Sequence, residues 1–241
     1  MRTVAVPGTD VASDRRDYLA EPVPTGAAPG PWPGVVVVHE ALGPTDDMHE
    51  QCDWFAAAGY LALMPDLYQG RPMIRCVRGA VRQLFARRGP MFEQLEAART
   101  DLAARPDCTG AVGIAGYCLG GGFALLLAND GFDAAAVNYG RRPKDPGEAL
   151  AGACPIVANF GGRDRTLPGE AAKLAAVLDG LGVENDVKEF PHAGHAFLND
   201  VETGPKALRP LFRVMGVGPD PESAPEAWQR IEGHFAEHLR A

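Results

Sequence analysis

The ten residues Gly113-Ile114-Ala115-Gly116-Tyr117-Cys118-Leu119-Gly120-Gly121-Gly122 decide how this chain is read. Just before and into them, 111–115 is a short apolar run of the kind that forms a strand buried on both faces. Just after them, Phe123-Ala124-Leu125-Leu126-Leu127-Ala128 carries the small and apolar residues on into a buried helix. Between strand and helix lies G-x-C-x-G. With serine in the centre, this spacing makes a strand-to-helix turn so sharp that the central side chain projects above the sheet. The flanking glycines give room where backbone passes close to a residue in a strained conformation. Here the central residue is a thiol, Cys118, and a helix N-terminus beneath it favours the thiolate. A glycine-rich packing turn around a buried cysteine would show the same ten residues. An acid and a histidine must therefore follow before the pattern means catalysis.

Both follow. Residues 155–160 read as a strand running into Gly161-Gly162-Arg163-Asp164-Arg165-Thr166-Leu167-Pro168, and 185–190 as a final strand ending at Pro191-His192-Ala193-Gly194-His195-Ala196-Phe197. Cys118, Asp164 and His195 each sit just past the C-terminal end of an expected strand, the edge at which open α/β sheets bind ligands. The order nucleophile, acid, histidine is that of α/β-hydrolases and differs from the chymotrypsin-like and subtilisin-like orders. In this reading His195 takes the thiol proton and Asp164 holds the other imidazole nitrogen. The backbone N–H of Leu119 and one from the loop after the first core strand, at Ala41, would hold the oxyanion.

The rest of the chain fits that frame. Val35-Val36-Val37-Val38 is the most strand-like stretch and opens into His39-Glu40-Ala41-Leu42-Gly43-Pro44. Thr45 or Asp46 caps a helix to about 58; 60–64 is a strand, 90–105 a helix, 134–139 a strand, 170–181 a helix closed by Gly182, and 225–241 a last helix. Strands alternating with helices predict an α/β fold with a mostly parallel central sheet covered on both faces, in one domain spanning 1–241. Residues 1–33 read as a short antiparallel edge hairpin, from Thr3-Val4-Ala5-Val6 and Tyr18-Leu19-Ala20. The segment 69–88 is rich in arginine and gives no clear architecture. The run 199–225 is long enough to fold over the site beside His195 as a cap or lid.

At 241 residues, 46% hydrophobic and 22% charged, the composition is that of a globular enzyme. The formal charge of −8 argues against nucleic acid as a partner. No apolar run is long enough for a membrane span, and the N-terminus lacks a basic-then-apolar signal pattern, so a cytoplasmic location without membrane partners is expected. The five cysteines show neither C-x-x-C pairs nor metal-ligand spacing; reduced thiols, and no metal or cofactor, are expected.

The stretches V-V-V-V-H-E-A-L-G, P-D-L-Y, G-Y-C-L-G-G, N-Y-G, G-G-R-D-R-T-L-P and G-H-A-F, spanning about 35–197, resemble the dienelactone hydrolase (carboxymethylenebutenolidase) family of α/β-hydrolases in content and order. The resemblance implies a Cys118–His195–Asp164 triad. It also implies that Glu40 takes part in activating the cysteine, contacting the thiol until substrate displaces it. A carboxylate beside Cys118 would disfavour the thiolate and keep the sulfur quiet. The family holds a substrate carboxylate with arginine and tyrosine beyond the second core strand. Here the register is ambiguous: Arg71, Arg75 and Arg78 are candidates, as are Arg141 and Arg142 after Tyr139, with Tyr139 and Phe197 beside them at the site. A surface helix would carry such arginines equally well. His192 competes with His195 but lacks the G-H-A-F setting, and His39 reads as a buried histidine with satisfied bonds.

A thiolate leaves more readily than an alkoxide, so a tetrahedral adduct on cysteine goes forward only when the substrate's own leaving group is weakly basic. Enol esters and enol lactones meet that condition. The expected substrate is a small lactone or activated ester, an acidic one if the arginines face it, turned over by a monomer or small homo-oligomer. A broader carboxylesterase or thioesterase is the alternative within enzymes. A silent ligand-binding member of the fold is the alternative outside them, and a thiol redox protein would want a resolving cysteine near Cys118.

Overall fold

The computed structural model describes residues 17–22, 30–202, 204 and 209–240. Seven strands form one sheet in the order β1-β3-β2-β4-β5-β6-β7: β1 (Tyr18–Ala20), β2 (Trp32–Val38), β3 (Leu61–Met64), β4 (Cys108–Tyr117), β5 (Ala135–Asn138), β6 (Ile156–Gly161) and β7 (Asn185–Phe190). All neighbours pair in parallel except β1, which runs antiparallel to β3 at the edge. The expected edge strand at 3–6 lies outside the described residues. The helices are α1 (Asp46–Ala57), α2 (Met73–Ala86), α3 (Pro90–Ala103), α4 (Leu119–Leu127), α5 (Pro146–Leu150), α6 (Glu170–Leu181), α7 (Arg209–Val214) and α8 (Ala224–Leu239).

The strands are apolar on both sides because both sides are covered. Val35, Val36, Val37 and Val38 are wholly buried, as are Ile114 and Ala115 of the neighbouring strand. Gly34 and Gly113 show the two faces. A Cβ on Gly34 would strike Leu102 of α3, and one on Gly113 would meet Phe235 and Leu239 of α8. α1 shares the α8 face: Trp54 stacks on Trp228 with ring centroids 4.0 Å apart, and Phe55 lies 5.8 Å from Phe235. Each such buried side chain contributes about 1.5–3 kcal/mol relative to leaving it in water. Thr45 caps α1 as its position predicts, its hydroxyl accepting from the Met48 N–H at 3.4 Å.

Two segments differ from the sequence reading. The arginine-rich stretch contains α2, and α5 lies between β5 and β6, where the sequence predicts no helix. In α2 the apolar side chains Met73, Val77, Ala80 and Leu84 recur at helical spacing under a cover of charge, a pattern that the arginines hide. In the run 199–225, α7 and the described residues around it bond to the His195 loop: His195 N donates to Gly216 O at 2.6 Å, and Gly218 N donates to His195 O at 2.9 Å. No helix among the described residues is long and apolar enough to cross a membrane.

Candidate active site

Three strand ends converge at one edge of the sheet. The first is the turn between β4 and α4. Cys118 sits there with φ 54° and ψ −114°, a region that costs a non-glycine residue about 1–3 kcal/mol. Its N–H is held by Asn138 O at 3.0 Å. The glycines on either side are required by close approach. A Cβ at 116 would lie 2.2 Å from Gly120 O, and one at 120 would lie 2.2 Å from Val38 O. The geometry presses Cys118 outward above the first turn of α4, whose leading N–H groups have no partners within the helix.

Asp164 follows β6 and His195 follows β7. Their side chains meet, His195 Nδ1 to Asp164 Oδ2 at 2.6 Å, with Asp164 almost wholly buried. The other carboxylate oxygen accepts from the backbone N–H of Thr166 at 2.7 Å and from its hydroxyl at 2.6 Å. Burial alone would raise the Asp164 carboxyl; the bonds from His195 and Thr166 outweigh it and hold the group below the usual carboxylate range. In His195 burial lowers the pKa, but the bonds to Asp164 and to Cys118 win and push it up to about 10. A ring held between Asp164 and Cys118 is placed to exchange a proton with the sulfur. His192 is exposed and lies beside Arg163, 3.4 Å from its guanidinium.

Thr166 escaped the sequence reading, because Asp-x-Thr is an ordinary turn pattern until the carboxylate proves to be buried against a histidine. Thr166→Val is expected to lower kcat about ten-fold while Thr166→Ser stays near the native rate, since a hydrogen bond to a charged group is worth about 1.5–3 kcal/mol. Steady-state kinetics of the two variants checks this. A native rate for Thr166→Val would mean that the backbone bond alone positions Asp164.

Above Cys118 is a cavity of about 360 Å³, with Ala41, Leu119, Tyr139 and His195 among its walls. Leu119 and Ala41, the two residues expected to supply oxyanion donors, line the same cavity as Cys118. The Ala41 peptide is fixed from behind by Tyr68, whose hydroxyl donates to Ala41 O at 2.9 Å. Asp66 shapes the turn that delivers Tyr68 by accepting from the Tyr68 and Gly70 N–H groups at 2.9 and 2.8 Å. His39 is buried and satisfied: Nδ1 lies 2.8 Å from Glu40 O, and Nε2 accepts from Leu67 N at 3.3 Å.

Glu40 is buried, and that burial raises its carboxyl above the usual range, partly offset by Asn199. Asn199 Nδ2 donates to Glu40 Oε2 at 3.4 Å, and Asn199 Oδ1 stands 3.5 Å from the Tyr139 hydroxyl. Among the described residues the carboxyl is hydrogen-bonded to Asn199 and not to the Cys118 sulfur. That bond joins Glu40 to a residue 159 positions away.

The arginines also fall differently. Arg75 and Arg78 stand exposed on α2. Arg71 reaches Gln69 at 3.3 Å and lines a separate groove with Asp66 and Tyr68. None of the three lines the cavity above Cys118; Arg141 does. The helix turns its apolar face inward, so its guanidinium groups must point away. Phe197 is fully buried behind the site, its ring 5.7 Å from Tyr139, which does line the cavity, so Phe197 supports the wall without forming it. The remaining cysteines are free thiols; Cys52 is fully buried, and burial pushes Cys154 up to about 12.

A mostly parallel sheet with helices on both faces, a strained cysteine at the β4–α4 turn, and an acid and a histidine from the next two strand ends define an α/β-hydrolase. The chain belongs to the dienelactone hydrolase family, whose sequence profile matches residues 16–239, and is thereby a hydrolase of ester bonds. It is 29% identical over 198 residues to the carboxymethylenebutenolidase of Pseudomonas putida, covering 73% of this chain and 80% of the relative. Among solved structures, the dienelactone hydrolase of Anabaena variabilis superposes with a TM-score of 0.71 at 21% identity, covering 99% of this chain and 98% of the other. A dienelactone hydrolase-like promiscuous phosphotriesterase from metagenomic libraries superposes with a TM-score of 0.73 at 20% identity, covering 94% and 99%. At such identities the two structures speak to the fold alone.

Proposed function

We propose that this chain hydrolyses lactones or activated esters through a thioester formed on Cys118. The observation that carries the reading is the 2.6 Å bond between His195 and the buried Asp164, beside a cysteine forced to positive φ at a helix N-terminus. His195 takes the thiol proton, and the sulfur attacks the acyl carbon. The carbonyl oxygen becomes an oxyanion against the N–H groups of Leu119 and Ala41. Collapse breaks the ester C–O bond, and His195 protonates the departing enolate or alkoxide. A water molecule, deprotonated by His195, then attacks the thioester and frees the acid and Cys118. Because sulfur is the better leaving group in the first adduct, substrates with delocalised leaving oxygens are favoured.

The experiment is a panel of enol lactones, aryl esters and thioesters, run beside a peroxide-consumption assay, with native protein and with Cys118 blocked by iodoacetamide. Ester turnover that blocking removes supports the reading. Peroxide consumption without ester turnover would instead make the thiol a redox group, and silence in both assays would make the chain a ligand-binding protein.

Glu40 in this reading restrains the resting cysteine. Its carboxyl is buried close enough to His195, to Tyr139 of the cavity wall and to Tyr68 to act on them electrostatically. Once ionised, a carboxylate there favours the neutral thiol. At mildly alkaline pH, Glu40→Gln is expected to speed alkylation of Cys118 several-fold and to slow turnover. If both rates stay at their native values, Glu40 serves only to anchor Asn199.

A further inference from the structure

One wall of the cavity above Cys118 comes from a single helix. α2 contributes Val77, Val81, Leu84 and Phe85, spaced so that all four share the side of the helix that borders the cavity. Leu84 closes onto the elbow helix, where a Cβ on Gly122 would come within 3.0 Å of its Cδ2. Leu119 and Leu167 extend the apolar surface. The guanidinium that borders the cavity, on Arg141, donates to the carbonyl oxygen of Thr166 at 2.7 Å. It is thereby tied to the turn that bonds Asp164.

These walls set unequal terms for two kinds of substrate. An alkyl or aryl group that leaves water for this surface gains free energy in proportion to the area it buries. A carboxylate entering among the same methyl groups loses hydration, and the cations it could reach, Arg141 and Lys144, stand at the border of the cavity and not among these side chains. Phe85 is 63% exposed at the edge of this wall, with Lys144 Nζ 5.7 Å from its ring. A substrate group seated against α2 would cover this ring.

We propose that the substrate group facing α2 is uncharged and apolar, so that neutral esters or lactones bearing a short alkyl or aryl substituent are preferred over carboxylate-bearing ones. The inference rests on the Cys118 hydrolase reading and adds the substrate class to it. The cavity holds about twelve water volumes of roughly 30 Å³ each, which admits a substituent of several carbons before the series levels off.

The test compares kcat/KM for p-nitrophenyl acetate, butyrate, pentanoate and hemisuccinate, the last matching pentanoate in size but ending in a carboxylate. The expected rise from acetate is about four-fold per methylene while the chain still fits, with hemisuccinate at least about ten-fold below pentanoate. Leu84→Asn is expected to cut the pentanoate-to-acetate ratio about ten-fold. Hemisuccinate equal to or better than pentanoate, or a flat chain-length series, would overturn the proposal while leaving the hydrolase reading intact. In that event Arg141→Gln would erase the preference for the acid. Turnover that survives in Cys118→Ala would overturn both.

Discussion

Cys118→Ala is expected to abolish ester hydrolysis, lowering kcat about 10⁴-fold or more, while the thermal midpoint moves little. The chemical argument is direct. In the mechanism above, the sulfur is the atom that bonds to the acyl carbon; the Thr166 hydroxyl, also on the cavity wall, donates to Asp164 Oδ1 at 2.6 Å and stands 3.5 Å from His195 Nδ1, the ring nitrogen that Asp164 already holds. Removing a nucleophile leaves only the acceleration that binding and oxyanion donors supply. The structural argument concerns stability. Alanine keeps the Cβ, so the turn retains its N–H bond to Asn138 O and its fit between Gly116 and Gly120. The sulfur is partly exposed, so little buried contact is lost. A variant that kept more than a few per cent of native kcat would remove Cys118 from the role of nucleophile.

The second large effect separates two histidines three residues apart. His195→Ala is expected to lower kcat by about 10²–10⁴-fold, because the same ring receives the thiol proton, protonates the leaving group and activates water. His192→Ala is expected to stay within about two-fold of native. His192 is exposed and turned toward Arg163, whereas His195 is bonded to Asp164 and pushed up to about 10 by it and by Cys118, against the opposing effect of burial. Kinetics on one chromogenic ester, with circular dichroism to confirm folding, decides between them. The opposite ranking would move the base to the other histidine.

How much of this was legible in the sequence depended on how local each cause was. The elbow was legible because it leaves a compact pattern of glycines: Gly116 is dictated by the carbonyl of Gly120 four residues on, and Gly120 by the carbonyl of Val38 on the neighbouring strand. The core strands were legible because burial on both faces writes unbroken runs such as Val35 to Val38. Asp164 was legible because it follows such a run, in β6, and His195 because it stands in G-H-A-F just past the last strand, β7. α2 was hidden, since Arg75, Arg78 and Arg82 break its apolar run, while its apolar stripe, at every third or fourth position, is what the fold uses. The direction of those arginines is a packing outcome, so Arg71, Arg75 and Arg78 could not be told from cavity residues before the helix was placed. The Glu40–Asn199 bond joins residues 159 apart, and neither has a local pattern that announces the other. Arg141 could be named as a candidate, but its bond to Thr166 O depends on how the loops after β5 and β6 approach each other.

The central claim is that the acyl group passes through a thioester on Cys118. Acid-quenching the enzyme during turnover of a slow aryl ester, digesting it and weighing its peptides tests that claim most directly. The account predicts the added mass of the acyl group on the peptide that contains Cys118, lost again when turnover is allowed to finish, and absent from Cys118→Ala. An acyl group on any other residue, or steady turnover with every peptide at its unmodified mass, would contradict it.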